Sequence, residues 1–447
     1  YDFRPSYLRI GEIRQKPLAP DPRHPEQSGE LSQIPILALT ATATPDVVDD
    51  IQDKLGFREK NVFRKSFHRE NLQYIVRYCE DTKDTNDAKN KFYQLRHILS
   101  HVPGSAIVYV RNRKRTIELA EALNESLPTP ANGKAADFYH AGLTSVERNE
   151  KQEAWKRGET RIIVCTNAFG MGIDKPDVRL VIHYDLPDSL EAYFQEAGRA
   201  GRDENTAYAV LLYAPSDKTK ARRRIADNYP DREFIEQVYH KTCDYLGVGL
   251  GSGLGHSFAL HMDDLCRVRN LQILPTYSAL NLLSQAGYIH FEEEKEMSPR
   301  VRINISRESL YEYQFTKEQE ELLVTLMRRH TGIFTELVYL SDEELNHELL
   351  VSLAARGVLT YIPRTRACGF TFTQERQDDI YIKKSIYDDQ RHQYTERLKA
   401  MVEYAEQTQF CRVQVLLSYF GEDDAASCDT CDVCRTHKKM NLGATLQ

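Results

Sequence analysis

The chain has 447 residues, 28% of them charged, with a formal net charge of -7 at pH 7 and a pI of about 6.1. That length predicts roughly three domains of about 150 residues each, and the net acidity excludes a global field that would hold a polyanion, leaving that role to local basic patches. No apolar run approaches the ~20 residues needed to cross a bilayer and no secretory leader pattern opens the sequence, which predicts a soluble, membrane-free protein of the cell interior.

Residues 17–32 (PLAPDPRHPEQSGELS) are rich in Pro, Ser and charge and read as a solvated loop. From 36 to 183, short β-branched runs (IPILALTATAT, SAIVYV, RIIVCTNAF, VRLVIHYDLP) alternate with longer amphipathic stretches (TIELAEALNESL, VERNEKQEAWKRG). The pattern predicts βαβ units, hence an α/β domain with helices on both faces of a parallel sheet. From about residue 229 helical periodicity dominates. It is broken by two predicted hairpins, GYIHFEEE with RVRINIS and GVLTYI with FTFTQE. Helices followed by a hairpin occur near 231–306 and again near 317–375, the texture of winged-helix folds. Residues 377–410 read as one or two long charged helices.

Nine cysteines fall into two groups. Cys79, Cys165, Cys243, Cys266 and Cys368 are scattered and read as small buried hydrophobes. Cys411, Cys428, Cys431 and Cys434 form C-x16-C-x2-C-x2-C, a four-thiol set suited to structural Zn2+. Reduced thiols inside a cell favour metal over disulfides here. A four-cysteine iron–sulfur cluster is the chemical rival, since C-x2-C-x2-C also opens ferredoxin-type runs.

The stretch YFQEAGRAGRDE, residues 193–204, places two glycines in a helical pattern, each costing ~1 kcal/mol relative to alanine. A helix over 189–200 sets Gln195, Arg199 and Arg202 at i, i+4 and i+7, on one face. A like-charge face flanked by side-chain-free Gly198 and Gly201 suits phosphate oxygens.

ALTATATP (38–45), SAIVYVRNR (105–113), FYHAGL (138–143), VCTNAFGMGIDKPDVR (164–179) and YFQEAGRAGRD resemble motifs III to VI of superfamily 2 helicases in order and spacing. The wording is most similar to the RecQ family of DNA helicases. YDFRPSYLRIG at the start resembles the segment after that family's DEAH box, and CR..LL.YFGE with the closing cysteine triplet resembles its zinc module. The resemblance covers roughly residues 1–225 and the cysteine cluster. It implies an ATP-dependent 3′ to 5′ helicase that acts in DNA recombination and repair, with ATP and Mg2+ in the full-length protein and structural Zn2+. The implied partners are single-stranded DNA and a fork or duplex junction. The implied location is the cytoplasm, at the nucleoid of a bacterium, or the nucleus of a eukaryote.

The resemblance also implies roles. Arg202 is the arginine finger, with Arg199 beside it and Gln195 sensing the γ-phosphate; Asp174, Gly172 and Thr42 couple to the nucleotide. Phe3, Arg4 and Tyr7 belong to the aromatic-rich loop that couples single-stranded DNA to ATP. His140, Thr166 and Asn167 contact the DNA backbone, and Gly170 with Gly172 permits a tight loop. Within YIPRTRACGF, Tyr361 and Phe370 suit base stacking and Arg364 and Arg366 suit phosphates, so this hairpin is predicted to be the wedge at the fork.

The expected organisation is a remnant of the first RecA-like lobe (1–72), the second lobe (73–225), two winged-helix-like domains (226–310 and 311–376) and a helical zinc-binding module (377–447). No G-x-x-x-x-G-K-[ST] occurs, and NGKAA at 132–136 lacks its first glycine and its hydroxyl residue. The chain therefore reads as the part of such a helicase that follows the DEAH box, without ATPase activity of its own. Two rivals remain at this point: a non-catalytic DNA-binding protein using the winged helices and zinc module, and an RNA helicase.

Overall fold

The computed structural model describes residues 10, 36–40, 43–57, 59–128, 133–170, 173–297, 299–307, 309–341, 344–363 and 365–445. They form two compact units. One holds the residues up to Arg223 together with Gln393 onward, and the other is Arg224–His392. Phe3, Arg4, Tyr7, Thr42, Gly172 and Arg364 lie outside the described residues.

The first unit is built on six parallel strands: β1 (Leu72–Tyr78), β2 (Ser105–Tyr109), β3 (Lys134–Tyr139), β4 (Thr160–Cys165), β5 (Val178–His183) and β6 (Ala207–Tyr213). Their order across the sheet is β1-β6-β5-β2-β4-β3. Three of the four runs that suggested strands, SAIVYV, RIIVCTNAF and VRLVIHYDLP, are apolar on both faces because both faces are covered, whereas IPILALTATAT forms no strand among the described residues and leaves Leu37 and Leu39 exposed. Ala106, Ile107 and Val108 of β2 and Ile162 to Cys165 of β4 have no exposed surface. Helices α1 (Pro45–Leu55), α2 (Lys91–His101), α3 (Arg113–Ser126), α4 (Ser145–Lys156), α5 (Leu190–Ala197) and α6 (Pro215–Asn228) connect and flank them. Several starts are set locally. Asn90 and Asn112 accept hydrogen bonds from the second amides of α2 and α3, and Thr144 with Glu147 forms a reciprocal box at α4.

Register places the site. Tyr109 lies opposite both Cys165 and His183, and Cys165 opposite Tyr139. The loops that leave β2, β3, β4 and β5 therefore start at one level, on the carboxyl edge where open parallel sheets bind ligands.

The second unit contains α7 (Arg232–Tyr245), β7 (Ser257–Leu260), α8 (Met262–Arg269), α9 (Ile273–Gln285), β8 (Ile289–Met297), β9 (Arg300–Ile303), α10 (Lys317–Arg329), β10 (Val338–Tyr339), α11 (His347–Ala355), β11 (Leu359–Ile362) and β12 (Thr365–Phe372). The strands exist where the sequence suggests, but the two expected hairpins do not form. β8 pairs with β12, not β9, and β11 pairs with β9, not β12. The sheets are β7-β12-β8 and β10-β9-β11. Residues 300–362 are thus inserted at the tip of the β8/β12 ladder, where Met297 faces Thr365. The insert has its own core of Val301, Ile303, Leu323, Leu326, Leu350, Leu353 and Leu359.

Returning to the first unit, α12 (Asp388–Glu406), from Gln393 on, precedes α13 (Arg412–Tyr419) and α14 (Asp432–Thr445). The first two pack on α5, and α14 lies against β1. The Tyr193 and Tyr404 rings lie 5.4 Å apart, and the Tyr419 hydroxyl donates to Glu191 at 2.9 Å.

Candidate functional site

α5 begins at its cap Ser189, whose hydroxyl accepts from the Ala192 amide, and ends at Gly198 after eight residues. The expected helix over 189–200 is shorter than its periodicity suggests, so Gln195, Arg199 and Arg202 do not share one helical face. Three residues beyond the cap the chain turns away at Gly201, whose φ of 61° is open to glycine without strain. A Cβ there would lie 2.6 Å from Asn71 Nδ2 and 2.8 Å from Ala207 Cβ. This glycine is required by the packing of its own lobe.

The break sends the two arginines to different places. Arg199 is buried, and its guanidinium lies 3.4 Å from where a Gly170 side chain would begin. Burial drives the neighbouring Tyr109 phenol well above its ordinary range, Cys165 adding to the shift and Arg199 opposing it. Tyr109 donates its hydroxyl to the Phe169 carbonyl at 3.0 Å. Arg202 stays exposed, donating to Asp174 Oδ1 at 2.7 Å and to the Ile173 carbonyl at 3.3 Å. Gln195 is exposed on α5. Below them the fully buried His183 meets Glu196 Oε2 at 2.8 Å.

On the carboxyl edge of the sheet, β3 delivers His140 and β4 delivers Thr166 and Asn167. The Thr166 amide donates to the Tyr139 carbonyl at 3.2 Å, which locks the two strand ends together. Gly170 does allow a tight loop, since a Cβ there would fall 2.8 Å from the Asn167 carbonyl. His140 is 8% exposed and Thr166 7%, while Asn167 is open to solvent. Burial, and secondarily Arg113, hold the His140 ring below its usual pKa, so it is a neutral donor at neutral pH. Arg113 had not been singled out in the sequence. It opens α3 after β2, and its guanidinium and the His140 ring would lie 3.3 and 3.2 Å from a Cβ at Gly142.

The wedge residues separate. Tyr361 stands on β11, half-buried, with its hydroxyl 3.2 Å from His347 Nδ1. Arg366 stands on β12, opposite Glu296 of β8, in the other sheet. Phe370 is 1% exposed and belongs to the core, so it does not offer a ring for base stacking.

The four clustered cysteines come together, their sulfurs all within 4.8 Å of one another. Thiolates at 2.3 Å from one tetrahedral zinc stand about 3.8 Å apart, so this spacing fits a single ion, whereas the thiolates of an iron–sulfur cluster bind separate irons and spread wider. Backbone amides point at the sulfurs: Cys428 donates to Cys411 Sγ at 3.3 Å, Cys431 to Cys428 Sγ at 3.3 Å and Cys434 to Cys431 Sγ at 3.4 Å. Such donors favour thiolate over thiol, as a metal requires. The buried Arg412 pins the module by binding Asp432 at 3.0 Å and the Tyr404 carbonyl. The five scattered cysteines are all buried and unbridged.

Comparison with known proteins agrees with this geometry. Residues 90–204 match the helicase conserved C-terminal domain, 301–363 match the RecQ helicase winged-helix domain of Bacteroidota, and 375–435 match the RecQ zinc-binding domain. The RecQ-like DNA helicase BLM of Xenopus laevis is 39% identical over 283 residues, 63% of this chain and 18% of that protein. The probable ATP-dependent DNA helicase RecS of Bacillus subtilis is 38% identical over 217 residues, 48% of this chain and 39% of that protein. The ATP-dependent DNA helicase RecQ of Pasteurella multocida is 36% identical over 217 residues, 48% and 30%. The chain spans well under half the length of these relatives. The six-stranded sheet is thus a RecA-like lobe of the superfamily 2 helicase class. Two of its segments match RecQ domains, which supports a RecQ-family helicase, and its four cysteines form a structural zinc site.

Proposed function

We propose that this chain supplies the second motor lobe, winged-helix unit and zinc module of an ATP-dependent DNA helicase that moves 3′ to 5′ on single-stranded DNA and opens a fork or duplex junction. One observation carries the reading. Arg199 reaches the Gly170 segment that follows Thr166 and Asn167, and Arg202 bonds Ile173 and Asp174 farther along the same connection between β4 and β5, so groups suited to a nucleotide γ-phosphate and groups suited to a nucleic-acid backbone belong to one lobe and are joined by one segment. Arg202 is the finger toward the transferred phosphoryl, its Asp174 partner being exchangeable for phosphate oxygens. Such a finger is worth about 10³ to 10⁵ in rate. Arg199, held inside, supports the loop at Gly170, and Gln195, exposed on α5, is the γ-phosphate sensor of this reading. Thr166, Asn167 and neutral His140 act on backbone oxygens, which position a strand without reading its sequence. Nucleotide and Mg2+ are the contribution of residues matching a first lobe.

The test is ATP hydrolysis by the full-length protein with single-stranded DNA, with RNA of the same sequence and with neither. Stimulation by DNA, lost in Arg202→Ala, is expected. Stimulation by RNA alone would make it an RNA helicase, and DNA binding without hydrolysis would make it a non-catalytic binder.

A further inference from the structure

A helix that stops after eight residues leaves its last carbonyls without intrahelical partners. In α5 those of Phe194, Glu196 and Ala197 accept from the amides of Gly198, Arg199 and Ala200, and the carbonyls of the turn beyond are met by two side chains from the segment before β1. Arg69 donates through Nη1 to the Gly198 carbonyl at 3.3 Å and through Nη2 to the carbonyls of Ala200, at 3.2 Å, and Gly201. Asn71 donates through Nδ2 to the Gly201 carbonyl at 2.7 Å and the Asn205 carbonyl at 2.9 Å. The Asn71 backbone carbonyl in turn accepts from the Ala207 amide at 2.9 Å, just where β6 begins. Four carbonyls between 198 and 205 are therefore held by two residues more than 120 positions earlier.

We infer that Arg69 and Asn71 are positioning residues for the motif VI arginines. They set the turn that keeps Arg199 inward under Gly170 and Arg202 outward at Asp174. The inference rests on the proposed role of Arg202 in ATP hydrolysis. Three acceptors of different direction on one side chain call for the planar five-donor fork of arginine, which a lysine, a point charge on a flexible stem, does not reproduce. Asn71 also explains why position 201 is glycine, because its amide fills the space a Cβ would take. The approach of the segment is itself fixed. Ser66 Oγ and the Phe67 amide donate to Glu422 at 2.7 and 2.8 Å, and the Phe67 ring lies 5.9 Å from Phe194 of α5. Arg69 and Asn71 bond backbone carbonyls of the turn, whereas the Arg202 side chain bonds Ile173 and Asp174, so both act through the turn.

The experiment compares Arg69→Ala, Arg69→Lys, Asn71→Ala and Arg202→Ala in the full-length protein, reading kcat and KM for ATP under saturating DNA, affinity for single-stranded DNA, and Tm. Arg69→Ala is expected to lower kcat at least about tenfold with KM and DNA affinity within about twofold. Millimolar guanidinium should restore part of the loss, which a general destabilisation would not allow. Arg69→Lys should stay impaired, and in the 447-residue chain amide exchange should quicken at 198–205 and not in the central strands. A fully active Arg69→Lys, or loss of kcat only in step with DNA affinity and Tm, overturns the inference. If Arg69→Ala does not fold, Arg69→Lys and Asn71→Ala decide by the same criteria. An Arg202→Ala protein with unchanged kcat would sink the proposed role of motif VI itself; an inactive Arg202→Ala beside a fully active Arg69→Ala would sink this inference alone.

Discussion

The Phe194 ring of the motif VI helix lies 5.0 Å from the Phe420 ring of the zinc module, and Phe67 closes the cluster 5.1 Å from Phe420. The metal site is therefore joined to the motor lobe by aromatic packing, beyond any role of its own surface. Cys431→Ser removes one of four ligands from a site type whose binding free energy is about 10 to 16 kcal/mol in small modules. The expected result is loss of the one equivalent of zinc, a fall of several degrees in Tm of the first unit, and a changed near-ultraviolet circular dichroism from the Phe and Tyr cluster. Retention of zinc with an unaltered melting curve would contradict the site, and loss of zinc without the aromatic signal would contradict the coupling.

A second measurement concerns acid. Asp203 follows Arg202 and accepts from Arg179 and, through its other oxygen, from Asn205 Nδ2 at 3.0 Å; these bonds, Arg179 foremost, pull its carboxyl from 3.8 to about 2. The folded value lies below the unfolded one, so the stability it contributes is complete above about pH 3.8 and is lost as pH falls through about 2. A carbon-detected titration should find the Asp203 midpoint near 2, and Arg179→Ala should raise it part of the way, since Asn205 remains. An unchanged midpoint would remove Arg179 as the cause.

Much of the first unit was legible because its signals are local. Parallel strands covered on both faces read as unbroken apolar runs, and three cysteines spaced by two residues can reach one ion. The second unit shows where locality stops. β8 and β9 are separated only by residues 298 and 299, as the arms of a hairpin would be, yet each pairs with a strand more than 50 residues on. A pattern of alternation identifies a strand and carries nothing about its partner. The α5 terminus misled for a related reason: Gly198 and Gly201 are spaced by three, which fits a helical period, and the positive φ of Gly201 is a demand of Asn71, far away in sequence. Arg69 and Asn71 left no trace, being two polar residues before a strand. Phe370 looked available because an aromatic near arginines resembles a stacking site, whereas its strand is central in β7-β12-β8.

The insertion makes a structural prediction. Because residues 300–362 own their core and Met297 faces Thr365 across the β8/β12 ladder, replacing 298–364 with a two-residue Asn-Gly turn should leave the rest of the second unit folded, as such turns close antiparallel pairs well. Retained helical circular dichroism and a cooperative thermal transition are expected; a molten product would mean the insert supports its host. In the full-length protein the double change Arg364→Ala with Arg366→Ala should reduce unwinding of a forked duplex while ATP hydrolysis driven by single-stranded DNA stays nearly intact. Equal loss of both would place these arginines in the motor or the fold.

The 447-residue chain itself should bind DNA without turning over ATP. The sequence holds no phosphate-cradling loop with its lysine and no DEAH acid for magnesium, the two largest electrostatic contributions to phosphoryl transfer. Arg202 then rests on Asp174. The carboxyl edge with Arg113, His140, Thr166 and Asn167 is retained, and each cation that neutralises a single-strand phosphate contributes about -0.7 to the slope of log affinity against log salt. His140 is neutral and contributes none of it. Arg113→Ala is therefore expected to make the slope shallower by about that amount, while His140→Gln weakens binding at every salt concentration with the slope unchanged. Fluorescence anisotropy of a labelled oligonucleotide across a salt series separates the two. DNA-stimulated ATP hydrolysis by this chain alone would show that its arginines meet a nucleotide held by other residues of the same chain.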